Sequence, residues 1–144
     1  MQSRATAHWE GDLMSGKGKT SAASGTFKDA SLGWKARTEG AAGNTTPEEL
    51  LAAAHASCFS MALSHGLAKE GHAPRTLDTT CTVEFGPKQG GGFEVKSSSL
   101  EVRGQVPGID QAAFQQAAEN AKNGCPVSGA LKGNVQFELD AKLQ

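Results

Sequence analysis

A chain of 144 residues with a formal net charge of -1, its charges of both signs interspersed, has no basic face of the kind phosphate binding needs, which argues against a nucleic-acid partner. Aromatic residues make up 6% and tyrosine is absent, so bases would find no stacking platform. No Pro- or Ser-rich linker interrupts the sequence, and one domain over residues 1–144 is the economical reading.

The opening stretch, Met1 to Asp12, is polar and lacks the apolar segment of a secretory signal, so a cytoplasmic protein with reduced cysteines is expected. Glycines then separate three short segments, residues 6–10, 18–25 and 32–38, that read as a three-stranded meander. A much stronger signal follows. Thr46 is a natural N-cap, Pro47 fits the first helical position, and Glu49 stands three residues after the cap as a capping box requires. Residues 50–68 form a run of nineteen without Asp, Glu, Lys or Arg, and Lys69-Glu70-Gly71 supplies the stop.

The helix so marked is apolar on nearly every face and is expected to be enclosed by protein. Its length approaches the ~20 residues of a bilayer span. His55, Ser57, Ser60, Ser64, His65 and Gly66 would then all have to dissolve in lipid, and six residues of the run are alanine, which suits close packing against other helices instead. No membrane partner is expected. A chain this short has little surface of its own to cover such a helix, and a homodimer that buries it solves the problem.

After the helix, residues 77–85 alternate, with Cys81, Val83 and Phe85 on one side, and the glycine-rich turn 86–92 leads into residues 93–106 as a hairpin. Asp110 caps a second helix whose Phe114, Ala117, Ala118 and Ala121 share one face and which Gly124 ends. A last strand, residues 134–143, points Val135, Phe137 and Leu139 inward. Segregated strands and helices of this kind indicate an α+β architecture.

The three cysteines fall in three environments. Cys81, in line with Val83 and Phe85, reads as a small core residue. Cys58 sits inside the long helix, where most cysteines are inert packing. Cys125, in Asn123-Gly124-Cys125-Pro126-Val127, occupies a helix end that a partner thiol could reach, and disulfide-forming redox chemistry needs such a second thiol. Spacing alone leaves open whether Cys58 and Cys125 act together. His55 and His65 invite a metal reading with Cys58, but the His-x-x-Cys spacing is weak alone, zinc needs further placed ligands, and no metal is expected.

The run from Thr46 to Ala62 (TPEELLAAAHASCFSMA), the later Gly124-Cys125-Pro126-Val127 and the early Trp9-Glu10-Gly11 closely resemble the OsmC/Ohr family of thiol-dependent hydroperoxide reductases. Val106-Pro107-Gly108-Ile109-Asp110 is similar to the OsmC branch. The resemblance covers essentially the whole chain. It implies antiparallel strands wrapped around a long central helix in an intertwined homodimer. It further implies Cys58 as the peroxide-attacking cysteine, Cys125 as the resolving cysteine that closes a disulfide with it, Arg37 as the activating arginine, and Glu48 as the carboxylate holding that arginine. Cys81 has no role in the family pattern, which supports its reading as core. The implied partners are a small hydroperoxide and a dithiol reductant, with lipoylated proteins the first guess; no haem, flavin or other cofactor is implied.

The chemistry explains why such groups are needed. A thiolate attacks peroxide oxygen, and a thiol of ordinary pKa near 8.5 is only about 3% ionised at pH 7. Cys58 lies about three turns inside its helix, beyond the reach of the helix dipole, and apolar neighbours raise its pKa. A fixed cation is required, and arginine alone stays charged in an apolar pocket. Without the resemblance, Arg4, Arg75 and Arg103 compete with Arg37, and Glu48 is explained by the acids that favour a first helical turn.

One geometric consequence follows. Ten residues separate Glu48 from Cys58, about 15 Å along a helix and about 80° around it. One guanidinium does not touch both, so composite sites at a dimer interface are expected. The expected activity is reduction of hydroperoxides, organic ones preferred, in stress defence. A binding module for apolar ligands and a structural stress dimer without turnover are the other classes open to this sequence.

Overall fold

The computed structural model describes residues 1–40 and 42–144. They form two compact units, Met1–Leu50 and Leu51–Gln144.

In the first unit β1 (Ala5–Glu10), β2 (Lys17–Ala22) and β3 (Ala30–Leu32) make an antiparallel sheet in that order. The expected meander is present, but the third segment is only partly strand: Trp34–Glu39 is a short helix, α1, which puts Arg37 on a helix and not a strand. Trp34 and Ala36 alternate with polar residues, which imitates a strand, and six residues are too few for a helical period to show. Glycine makes the sheet's tightest contact possible. A Cβ on Gly18 would stand 2.7 Å from the Trp9 ring, so the indole lies directly over the neighbouring strand.

Helix α2 spans Pro47–Lys69, as its punctuation predicts. The Glu49 amide donates to Thr46 Oγ1 at 3.0 Å, while the Glu49 carboxylate turns to the Thr45 hydroxyl, 2.6 Å away. At the other end the His72 amide reaches Leu67 O and the Gly71 amide reaches Ala68 O, with Gly71 at φ 86°: a Schellman stop.

The second unit is built on a three-stranded sheet of order β4 (Thr76–Pro87), β5 (Phe93–Gln105), β6 (Gln136–Leu143). The β4–β5 hairpin is antiparallel, and β6 returns parallel to β5. Between β5 and β6 run α3 (Gln111–Gly124), capped by Asp110 on the Ala113 amide, and the short helix α4 (Pro126–Leu131), which no sequence signal predicts.

Phe59, Leu63 and Leu67 of α2, Leu100 and Val102 of β5, Phe114, Ala118 and Ala121 of α3, and Ala141 of β6 form one core. Each large apolar side chain so enclosed is worth about 1.5–3 kcal/mol over exposure. Gly104 belongs to this packing, since a Cβ there would stand 2.5 Å from the Phe114 ring.

Within one chain α2 is not enclosed on all sides. His55, Phe59, Leu63 and Leu67, spaced by four, are its buried stripe, whereas Ala53, Ala54, Ser57, Met61 and His65 face outward, Met61 at 68% exposure. A chain this short was expected to leave part of the helix uncovered, and this face is the part it leaves. An α+β fold is what the chain adopts.

Candidate active site

Cys58 and Cys125 meet in the second unit. Cys58 is carried by α2 and Cys125 by the junction where α3 ends and α4 begins; both are free thiols, and their sulfurs lie 2.9 Å apart, sharing a hydrogen bond. That is longer than the ~2.05 Å of a disulfide, so the two sulfurs lie within reach of each other without being bonded.

The two sulfurs stand in unequal surroundings. Burial, followed by the hydrogen bond shared with Cys125, pushes the Cys58 thiol above its ordinary value, against a smaller pull from the Val127 amide. Burial also acts upward on Cys125. There it is outweighed by the hydrogen bond with Cys58, the Ser128 amide and hydroxyl, and the Val127 amide, and Cys125 ends below the ordinary thiol value.

Arg37 and Glu48 meet in the first unit. Arg37 Nε donates to Glu48 Oε2 at 3.1 Å and Nη2 to Oε1 at 2.6 Å, a two-pronged pair with the carboxylate buried. The guanidinium carbon lies 5.6 Å from the Trp34 ring centroid. Beside this pair is an apolar hollow of about 380 Å³, lined by Trp9, Leu13, Leu32, Gly33, Trp34, Arg37, Thr45 and Pro47, within the ~300–1,000 Å³ range of small-molecule sites.

The family description "OsmC-like protein" matches residues 39–140. The chain belongs to the OsmC family. Over 136 residues, 94% of each chain, this OsmC-family chain is 44% identical to the protein named Peroxiredoxin OsmC in Escherichia coli (strain K12). It is 34% identical over 113 residues, 77% of each chain, to the organic hydroperoxide resistance protein of Xanthomonas axonopodis pv. citri. The crystal structure of the organic hydroperoxide resistance protein OhrB of Bacillus subtilis matches it with a TM-score of 0.79 at 26% identity, covering 99% of this chain and 98% of that one.

One histidine has surroundings that the His-x-x-Cys pattern does not suggest. His55 is completely buried, its Nδ1 2.7 Å from Ser98 Oγ and its Nε2 2.8 Å from Ser128 Oγ. Burial lowers its pKa below the usual 6.5. Cys81, expected as plain core, does pack against the core, but its sulfur also sits 3.2 Å from Ser98 Oγ, and burial raises its pKa. A polar residue placed four before Phe59, Leu63 and Leu67 in series lies on the buried stripe, and that spacing was the available signal. Among the described residues no three His, Cys, Asp or Glu side chains converge as metal ligands.

Proposed function

We propose that the protein is a cysteine-based peroxidase that reduces organic hydroperoxides through a Cys58 sulfenic acid and a Cys58–Cys125 disulfide. The observation that carries this reading is the 2.9 Å approach of two free thiols from residues far apart in sequence. The names of the relatives, a peroxiredoxin and organic hydroperoxide resistance proteins, support the same chemistry.

The step sequence follows from the groups. The Cys58 thiolate attacks the outer peroxide oxygen, the O–O bond breaks, the alkoxide takes a proton and leaves as alcohol, and Cys58 becomes a sulfenic acid. Cys125 then attacks the Cys58 sulfur, hydroxide leaves as water on protonation, and a dithiol reductant restores both thiols.

For Cys58 to attack, its thiolate must be favoured against the burial that pushes its pKa up. A cation brought to Cys58 accomplishes this, and Arg37 is the proposed one. Arg37 is locked on Glu48, and α2 carries Glu48 and Cys58 about 15 Å apart, so the Arg37–Glu48 pair serves the Cys58 of a second copy. The outward face of α2, small residues around Met61, suits a close helix–helix contact about a two-fold axis. The apolar hollow beside Arg37 then offers an alkyl chain a surface from which hydrogen peroxide gains nothing.

The test is turnover of cumene hydroperoxide with a dithiol such as dihydrolipoamide, compared with hydrogen peroxide. The reading predicts a higher kcat/KM for the organic substrate; no loss of either peroxide with any dithiol contradicts it.

A further inference from the structure

We propose that the hollow beside Arg37 selects aryl hydroperoxides over saturated ones, with Trp9 as the wall that determines the preference. The inference rests on the peroxidase reading above and deepens it by naming the organic group that the hollow takes.

The chain has two tryptophans, and both line this hollow. The Arg37 guanidinium carbon lies 5.6 Å from the Trp34 ring centroid, and the two-pronged bond to Glu48 holds that guanidinium in place. The lining therefore combines a fixed cation, suited to the peroxide oxygens, with indole, leucine and proline surface. A molecule with a polar O–O end and an apolar body fits such a combination.

Trp9 is held as a rigid wall. At 41% exposure it does not serve the core. Its Nε1–H donates to Gly11 O at 3.0 Å, and its ring lies directly against two glycines: a Cβ on Gly16 would stand 2.8 Å from the ring and a Cβ on Gly18 2.7 Å. A side chain at either position would displace the indole. The turn that carries Gly11 and Gly16 is itself closed, Asp12 Oδ1 accepting from the Met14 and Ser15 amides at 2.8 and 2.9 Å and Asp12 O from the Gly16 amide at 2.9 Å. The same turn brings Leu13 to the hollow. A wall fixed before the ligand arrives loses little freedom on binding.

Apolar burial does not by itself choose a phenyl group. A cyclohexyl ring of the same carbon count has at least as much apolar surface, so the hydrophobic effect is neutral or favours the saturated ring. Contact with an indole reverses that order. The positive edge of one aromatic ring meets the negative face of the other, which adds about twofold to about tenfold per pair beyond area. The sign of the preference thus separates an aromatic hollow from a merely apolar one, and it gives Trp9 a part that the Trp9-Glu10-Gly11 motif leaves unassigned.

The experiment compares cumene hydroperoxide with its hydrogenated analogue, in which cyclohexyl replaces phenyl, in wild type, Trp9→Leu and Trp9→Phe. The expected ratio of kcat/KM, aryl over saturated, is about fivefold in wild type, less than about half of that in Trp9→Leu, and close to wild type in Trp9→Phe, which keeps an aromatic ring. Because both tryptophans line the hollow, their fluorescence reads its occupancy without turnover. Titration with the two product alcohols should give the aryl alcohol a Kd several-fold lower. Should Trp9→Leu fail to fold, Trp9→Phe and the wild-type titration carry the same expectation. A wild-type ratio of one or below, a ratio that Trp9→Leu leaves unchanged, or equal Kd values for the two alcohols overturns the inference while the peroxidase reading stands. Wild-type protein that consumes neither peroxide with any dithiol overturns the peroxidase reading, and the substrate preference with it.

Discussion

Cys125 Sγ lies 2.9 Å from Cys58 Sγ, although 67 residues separate the two in the chain. α2 brings the first into place through its buried His55–Phe59–Leu63–Leu67 stripe, and the α3–α4 junction brings the second through the core contacts of Phe114, Ala118 and Ala121. Packing thus holds the thiols within bonding reach before any oxidant arrives.

Their roles are separable by substitution. Cys58→Ser abolishes peroxide consumption, because a hydroxyl in this site is not ionised. Cys125→Ser completes one oxidation, accumulates sulfenic acid and over-oxidises to sulfinic acid at high peroxide, as intact-mass measurement reveals. Wild-type turnover in Cys58→Ser contradicts the assignment.

Arg37→Ala removes the cation proposed to activate Cys58. Without it the thiol returns towards or above its ordinary pKa near 8.5, where only about 3% is ionised at pH 7, and kcat/KM falls by about tenfold or more. Glu48→Ala has a smaller effect in the same direction, by loosening the guanidinium. Mixing Arg37→Ala with Cys58→Ser under subunit exchange creates one intact site per heterodimer and restores about half the wild-type turnover per heterodimer. Exchange verified by native mass spectrometry with no recovery rules out sites shared between copies.

Acid stability carries the signature of His55. Its folded pKa is lowered by burial, so between that value and the unfolded 6.5 the unfolded chain binds the extra proton. The stabilisation is therefore full above pH 6.5 and declines as pH falls towards the folded pKa. Urea midpoints measured from about pH 4 to about pH 8 should drop on the acid side, and His55→Gln should flatten that drop. An unaltered acid slope in His55→Gln assigns the effect elsewhere.

Cys81→Ala trims a half-buried core contact and leaves Ser98 short of one partner. A loss of about 1 kcal/mol in unfolding free energy is expected. Peptide mapping after oxidation should find Cys81 of the wild-type protein still a free thiol; a disulfide to Cys81 means the wrong pair has been chosen.

What the sequence discloses and what it conceals follow from range. Helix α2 was legible at both ends because Thr46, Pro47 and Gly71 act on backbone groups next to them. Helices α1 and α4 were hidden because six residues are too few to show a period. The parallel return of β6 along β5 depends on the α3–α4 crossover and leaves no local trace. His55 looked like half of a weak metal motif because its partners, Ser98 and Ser128, lie 43 and 73 residues away. Cys58, Cys125, Arg37 and Glu48 were reached through family motifs, whereas the need of Cys58 for a cation followed from its place deep in an apolar helix, and burial does raise its pKa.

The central claim is the chemical pairing of Cys58 with Cys125. One equivalent of cumene hydroperoxide added to the reduced protein, followed by intact-mass and non-reducing peptide mass spectrometry, tests it directly. The account predicts loss of the mass of two hydrogens per chain and a linked pair of peptides containing Cys58 and Cys125, reversed by a dithiol. A protein that keeps its reduced mass, or gains a bond involving Cys81, contradicts it.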